Sequence, residues 1–312
     1  MLTEEDLALR RQGITATDAT IIAGVSPYGR TVHDVYLDKL GMSEPFEQSG
    51  AMAMGHRLEP VALAALAEER GLTITPGQTE RHNILTWAIA TPDGNVLDAP
   101  GGKREAVAEA KAVGFRMSHR WGESGDPDAI PDDVRVQVTW QMTVARVKRA
   151  HVVALLGTEA RFYEIDHDEE LSTALLEMCD RFRTRHVLAQ VPPKVDGSEA
   201  SARMVRGLFK RATHGIVRAP AEAEALVAEH MSALAAEHAA KKRLDTVKAQ
   251  LCALIGDSEG IESDAWTATW KAREGSPKWK EIATALGATA QIIEQYRGEG
   301  PRVLNVRAKG IR

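Results

Sequence analysis

Apolar side chains recur along this chain with two periods, and the switches between them mark out the elements. Over residues 50–70, Leu58, Val61, Leu63, Ala65 and Leu66 recur at helical spacing, and Gly71 supplies the stop. The first 45 residues read as short helices broken by small-residue turns, with a turn at Pro27 and Gly29 between two of them. From Ile84 the period shortens: ILTWAIAT reads as a strand ending at the PDG turn, and EAVAEAKAV, residues 105–113, reads as the next. Alternation then puts Glu105, Val107, Glu109 and Lys111 on one face.

Pro131, followed by Asp132 and Asp133, opens a helix expected to run through Lys148. HVVALLG and ARFYEID read as two strands, and residues 168–190 as an amphipathic helix stopped by Pro192 and Pro193. The stretch VPPKVDGSEAS looks like a domain edge, which predicts domains at 1–198 and 199–312. Residues 220–255 form a long Ala/Glu/Lys-rich helix, and the end of the chain adds a strand (WTATWKA), a helix (WKEIATALG) and a last strand (RVLNVRA).

Composition adds mainly exclusions. With 44% hydrophobic and 27% charged residues the chain is of folded, globular type. No apolar run approaches the roughly 20 residues that span a bilayer, and MLTEEDLALRRQG is unlike a signal peptide, so a cytoplasmic, membrane-free protein is expected. Cys179 and Cys252 lack CxxC spacing, and the ten histidines form no HxxxH or HxH pair. The net charge of −5 argues against a uniformly basic DNA-coating surface but leaves room for a local basic channel around an acidic centre.

The informative residues are Asp93, after Pro92, and Glu109-Ala110-Lys111, with the two acids sixteen positions apart. Adjacent strands can set Asp93 beside Glu109, where two carboxylates repel unless a divalent cation, most simply Mg2+, sits between them. Lys111, on the same face, is placed to orient or deprotonate an attacking water and to offset negative charge in the transition state. It is the only lysine in the chain with an acid two residues before it. Taken alone, the pair also fits solvated strand-edge charges. Glu59, before Pro60, could complete a two-metal cluster, or be an ordinary acid of a helix's first turns. Gln137 and Gln141, at i and i+4, share a helix face that could touch the water or a phosphate.

These motifs, in the order GITATDAT, GVSPYGRT, YLDKLG, MGHRLEP, TPDG, EAK and QVTWQM, resemble the YqaJ-like viral recombinase (phage lambda exonuclease) family of the PD-(D/E)xK nuclease superfamily. The resemblance covers about residues 10–165. It implies an α/β, restriction-endonuclease-like core, with a central mixed sheet flanked by helices and a mainly helical C-terminal extension. It also implies a pair of Mg2+ ions per site, replaceable by Mn2+, and 5′-to-3′ digestion of linear double-stranded DNA that leaves 3′ single-stranded overhangs. Glu59, Asp93 and Glu109 would then be metal ligands, Lys111 the catalytic lysine, and Gln137 the glutamine near the attacking water. Arg11 and Thr17 match the arginine and serine that bind a terminal phosphate, with threonine keeping the hydroxyl. The implied partners are DNA ends, a single-strand annealing protein and further copies of the chain, up to a ring-shaped trimer, in a phage- or prophage-bearing bacterium. Two alternatives stay open: a single-strand or structure-specific nuclease of the same fold, and a non-catalytic DNA-end-binding protein.

Overall fold

The computed structural model describes residues 4–43, 49–209, 215–271 and 279–295. The described residues fall into two units, divided between Phe209 and Lys210. The first begins with three short helices, α1 (Glu4–Arg11), α2 (Ala16–Ile22) and α3 (Val32–Lys39). Thr15 and Thr31 each start a helix with a reciprocal capping box, closed by Asp18 and Asp34. Helix α4 (Gly50–Arg70) starts at the Ser49 hydroxyl and stops at Gly71, whose φ of 62° suits glycine.

A five-stranded sheet in the order β1-β4-β5-β6-β7 is the frame of this unit. Its strands are β1 (Thr73–Pro76), β4 (Gly94–Leu97), β5 (Arg104–Val113), β6 (Arg149–Leu156) and β7 (Glu159–Asp166), while β2 (Glu80–Arg81) and β3 (Ile89–Ala90) pair separately. Only β5 and β6 run parallel, so the sheet is mixed. Between them lie a 3-10 turn at Phe115–Arg120 and helix α5 (Asp132–Ala145). Helix α6 (Glu169–Phe182) and, after a π-helical turn, α7 (Glu199–Leu208) complete the unit.

Strand alternation sends side chains to two different partners. Val107, Val152 and Tyr163 pack with Val134, Val138 and Met142 of α5, whereas Ala106, Ala108 and Val153 pack with Ala62 and Leu66 of α4. A further cluster joins α2, α3, α5 and α6 around Trp140, Tyr36 and Cys179. Met204 of α7 belongs to that cluster, so the packing of this unit continues past the edge expected at residue 198.

Three expectations need correction. ILTWAIAT is not a continuous strand: only Ile89–Ala90 is, because residues 83–87 turn so that Leu85 and Trp87 pack on the helical cluster. Asp93 therefore stands just before β4 rather than at the end of a long strand. Helix α5 ends at Ala145, since Arg146 turns left-handed (φ 58°) and its N–H caps the Met142 carbonyl. Glu105 does not share the face of Glu109: a bulge shifts the register between Val96 and Leu97, and Arg104 is the residue that reaches the α5 side, donating to the Ala145 carbonyl.

The second unit contains α8 (Glu222–Ile255), a hairpin of β8 (Gly260–Glu262) and β9 (Thr267–Thr269), and two short helices, α9 (Trp279–Ala285) and α10 (Ala290–Gln295). The strand expected at RVLNVRA lies outside the described residues. No helix among the described residues is long and apolar enough to cross a membrane.

Candidate active site

Glu109 is the centre of the site. It stands in the middle of β5 on the face covered by α5, and it is 1% exposed. A carboxylate so deep is stable only if its oxygens are fully partnered. Gln137 Nε2 donates to Oε1 at 2.5 Å and Gln141 Nε2 to Oε2 at 2.7 Å, while the Lys111 ammonium donates to Oε1. Lys111 Nζ also donates to Gln137 Oε1 at 2.9 Å, closing a ring of three side chains. The i, i+4 spacing of the glutamines puts one amide on each carboxylate oxygen from successive turns of α5.

Asp93 reaches the same place from the next strand. The antiparallel pairing of Gly94 with Ala108, carried one residue further, sets Asp93 opposite Glu109, and the Ala110 N–H donates to Asp93 Oδ2 at 2.8 Å. Glycine is needed at position 94: a Cβ there would stand 2.8 Å from Ile74 Cγ2 and 3.3 Å from Ala108 Cβ, in the crowded seam of β1, β4 and β5. Burial, and next to it the Glu109 charge, push the Asp93 carboxyl well above the usual carboxylate range; Lys111 and the Ala110 N–H pull the other way, and Glu59 adds to the rise. Burial by itself would lower the Lys111 ammonium, yet the Glu109 and Asp93 charges outweigh it and hold the group above its ordinary value.

Glu59 lies on α4, and its charge is felt at Asp93, but it is partly exposed and has His56 Nδ1 3.6 Å away. Among the described residues, no three His, Cys, Asp or Glu side chains converge tightly enough to hold a metal ion as they stand. The donor chemistry does fit a divalent cation. Asp93 and Glu109 offer hard oxygens side by side, and the repulsion that the Glu109 charge exerts on the Asp93 carboxyl is one that a bound cation would offset.

Lys111 and Gln137 face an open cleft of about 260 Å3. Thr17, exposed on α2, lines the same cleft, so the structure joins it to the catalytic candidates. Arg11 is exposed at the end of α1 and is not among the described residues lining the cleft; its neighbour Arg10 is instead tied to Thr91 Oγ1 at 3.0 Å. Gln141, expected at a phosphate, is fully buried, with its amide spent on Glu109. Its Oε1 has no hydrogen-bond partner. Sequence reasoning missed Tyr28, which is 77% exposed on the cleft wall. It also missed the ion pair of Arg120 with Asp133, 2.5 Å, on the same wall. The aromatic turn SPYG was the available signal for Tyr28.

A mixed sheet clamped between helices, with one acid at the start of a strand, a second on its neighbour and a lysine two residues beyond the second, is the arrangement of the restriction-endonuclease-like fold. The family model of the YqaJ-like viral recombinase domain matches residues 7–148 of this chain. It is 27% identical over 206 residues to the uncharacterized protein YqaJ of Bacillus subtilis, an alignment covering 64% of this chain and 61% of that protein. The chain thus spans about three fifths of that relative's length. Among solved structures, it matches the alkaline exonuclease LHK-Exo of Laribacter hongkongensis in complex with dAMP, with a TM-score of 0.50 and 19% identity over 61% of this chain and 94% of that one. A second crystal structure of LHK-Exo matches with a TM-score of 0.48 and 20% identity over the same shares.

Proposed function

We propose that this chain is a metal-dependent deoxyribonuclease that digests linear double-stranded DNA from its 5′ ends and leaves 3′ single-stranded overhangs for annealing. The observation that carries the reading is the network in which Asp93, just before β4, stands beside Glu109 of β5, with Lys111 bonded to Glu109 and facing the cleft beside Gln137. Such a set suits phosphodiester hydrolysis, where charge develops on phosphate oxygens and a water must be held in line. The match to the recombinase family model and the likeness to the fold of LHK-Exo support the same class; polarity and duplex preference rest on the family resemblance.

In this reading Asp93 and Glu109 hold a divalent cation, Mg2+ or Mn2+, with Glu59 on α4 able to add a third carboxylate. When bound, the cation supplies Lewis-acid activation of phosphate and water. Lys111 gives a charged donor to the scissile phosphate and the attacking water. Gln137, bonded to both Glu109 and Lys111, fixes their relative position, while Gln141 orients Glu109 from behind. Thr17 offers its hydroxyl to a terminal phosphate across the cleft.

Polarity and end chemistry are tested together by digesting duplexes labelled at one end, with a 5′-phosphate or a 5′-hydroxyl. Loss of label from the 5′ strand, faster on the phosphorylated end, is the expected result. Digestion from 3′ ends, or of closed circles at the same rate, would overturn the reading.

A further inference from the structure

Helix α8 is 34 residues long, about 50 Å at the usual rise, and almost every side chain between its ends is exposed. A helix of this length held in water by propensity alone is unusual, since helices draw most of their stability from a packed face. Its sequence contains such a face. Ala223, Leu226, His230, Ala233, Glu237, Ala240, Leu244, Val247, Leu251 and Leu254 follow one another at alternating steps of three and four, which is a heptad seam. Leu226, Leu244, Val247 and Leu254 on this seam are 44–73% exposed.

We propose that the seam binds a second copy of this chain, with the two α8 helices antiparallel. Two independent features of the helix select that occupant and that direction. The first is volume. Two of the three seam alanines, Ala223 and Ala233, lie in the first half, whereas Leu244, Val247, Leu251 and Leu254 all lie in the second. Antiparallel pairing sets Ala223 against the second copy's Leu254, Leu226 against its Leu251, His230 against its Val247, Ala233 against its Leu244, and Glu237 against its Ala240, so every alanine of the seam meets a larger residue. Parallel pairing in register would stack alanine on alanine and leave gaps.

The second feature is charge. The first half carries Glu222, Glu224, Glu229 and Glu237 with no lysine or arginine, and the second carries Lys241, Lys242, Arg243 and Lys248 against a single acid, Asp245. Antiparallel helices lay the acidic half of one copy along the basic half of the other, and bring each helix N-terminus to its partner's C-terminus. Parallel helices would align acid with acid and set Glu237 against Glu237 on the seam.

The test uses the full chain with Cys252→Ser as background. Chains carrying Ala233→Cys and chains carrying Leu244→Cys are treated with a short bifunctional thiol reagent, separately and mixed. The expected result is a cross-linked pair in the mixture and little in either alone. Cross-linking of each variant by itself would mean parallel pairing, and no cross-linking in the mixture would mean that another part of the same chain covers the seam; either overturns the proposal. A volume swap supplies the second measurement. Leu244→Ala should raise the dimer Kd, read by sedimentation equilibrium, about ten-fold or more, and adding Ala233→Leu should return it to within about three-fold. A double variant no tighter than Leu244→Ala would also overturn it.

Discussion

The sheet unit and helix α8 use the same kinds of residue to opposite ends. In the first, Leu66, Val107, Trp140, Val152 and Tyr163 are shut away from water, and even a glutamate and a glutamine, Glu109 and Gln141, are buried because each meets a partner. In α8, Leu226, Leu244, Val247 and Leu254 of the seam stay exposed. Burial in the sheet unit is thus specified by shape and by polar partners within one chain, whereas the pattern of α8 becomes a packed face only when another helix lies on it.

The largest effect is expected at Glu109. Glu109→Gln keeps the size of the side chain but removes the charge that Lys111 and the glutamine amides hold, and nuclease activity should fall roughly a thousand-fold in steady-state assays on linear duplex. Stability separates the two regions next. Leu66→Ala, under the sheet, should cost about 2–5 kcal/mol in urea unfolding, while Met231→Ala, exposed on α8, should stay within about 0.5 kcal/mol. Equal losses would erase the distinction.

Smaller effects probe how the buried groups are held. Gln141→Leu frees one Glu109 oxygen, and a drop in kcat of about ten-fold, with KM little changed, is expected of a residue that only positions another. His151, on β6, is held below its ordinary range by burial, with Arg149 and Arg70 acting in the same direction and Glu164, 3.9 Å away, against them. The folded chain therefore favours neutral imidazole, so the contribution is complete above about pH 6.5 and is lost as pH falls below it. Urea midpoints between pH 7 and 5 should fall less steeply in His151→Leu than in the parent. Least of all, Thr17→Val should narrow the preference for 5′-phosphorylated over 5′-hydroxyl ends by only a few-fold.

Much of the site was legible because its strongest signals are local. Glu109 and Lys111 share a face by strand alternation alone, and that alternation holds from Val107 onward because the bulge comes earlier. The i, i+4 spacing of Gln137 and Gln141 predicts a common face, but what the face meets depends on α5 lying over β5, and so Gln141 went to a phosphate when it belongs under Glu109. The mixed sheet between helices matches the expected class, while ILTWAIAT misled because Leu85 and Trp87 answer to the helical cluster rather than to a ladder. Register is set by distant pairings, such as Thr73 with Leu97, and left no trace in any single stretch of sequence. Tyr28 and the Arg120–Asp133 pair entered the cleft wall only through tertiary packing.

In the proposed reaction Asp93, just before β4, and Glu109 and Lys111 on β5 cut DNA with the help of a divalent cation. Its most direct test is nucleotide release from linear and closed circular duplex by the parent chain and by Lys111→Ala, with Mg2+ and with a chelator, on samples whose melting curves coincide. The expected result is release only from linear duplex, only with the cation, and only by the parent. Equal digestion by Lys111→Ala, or release that persists in chelator, would contradict it.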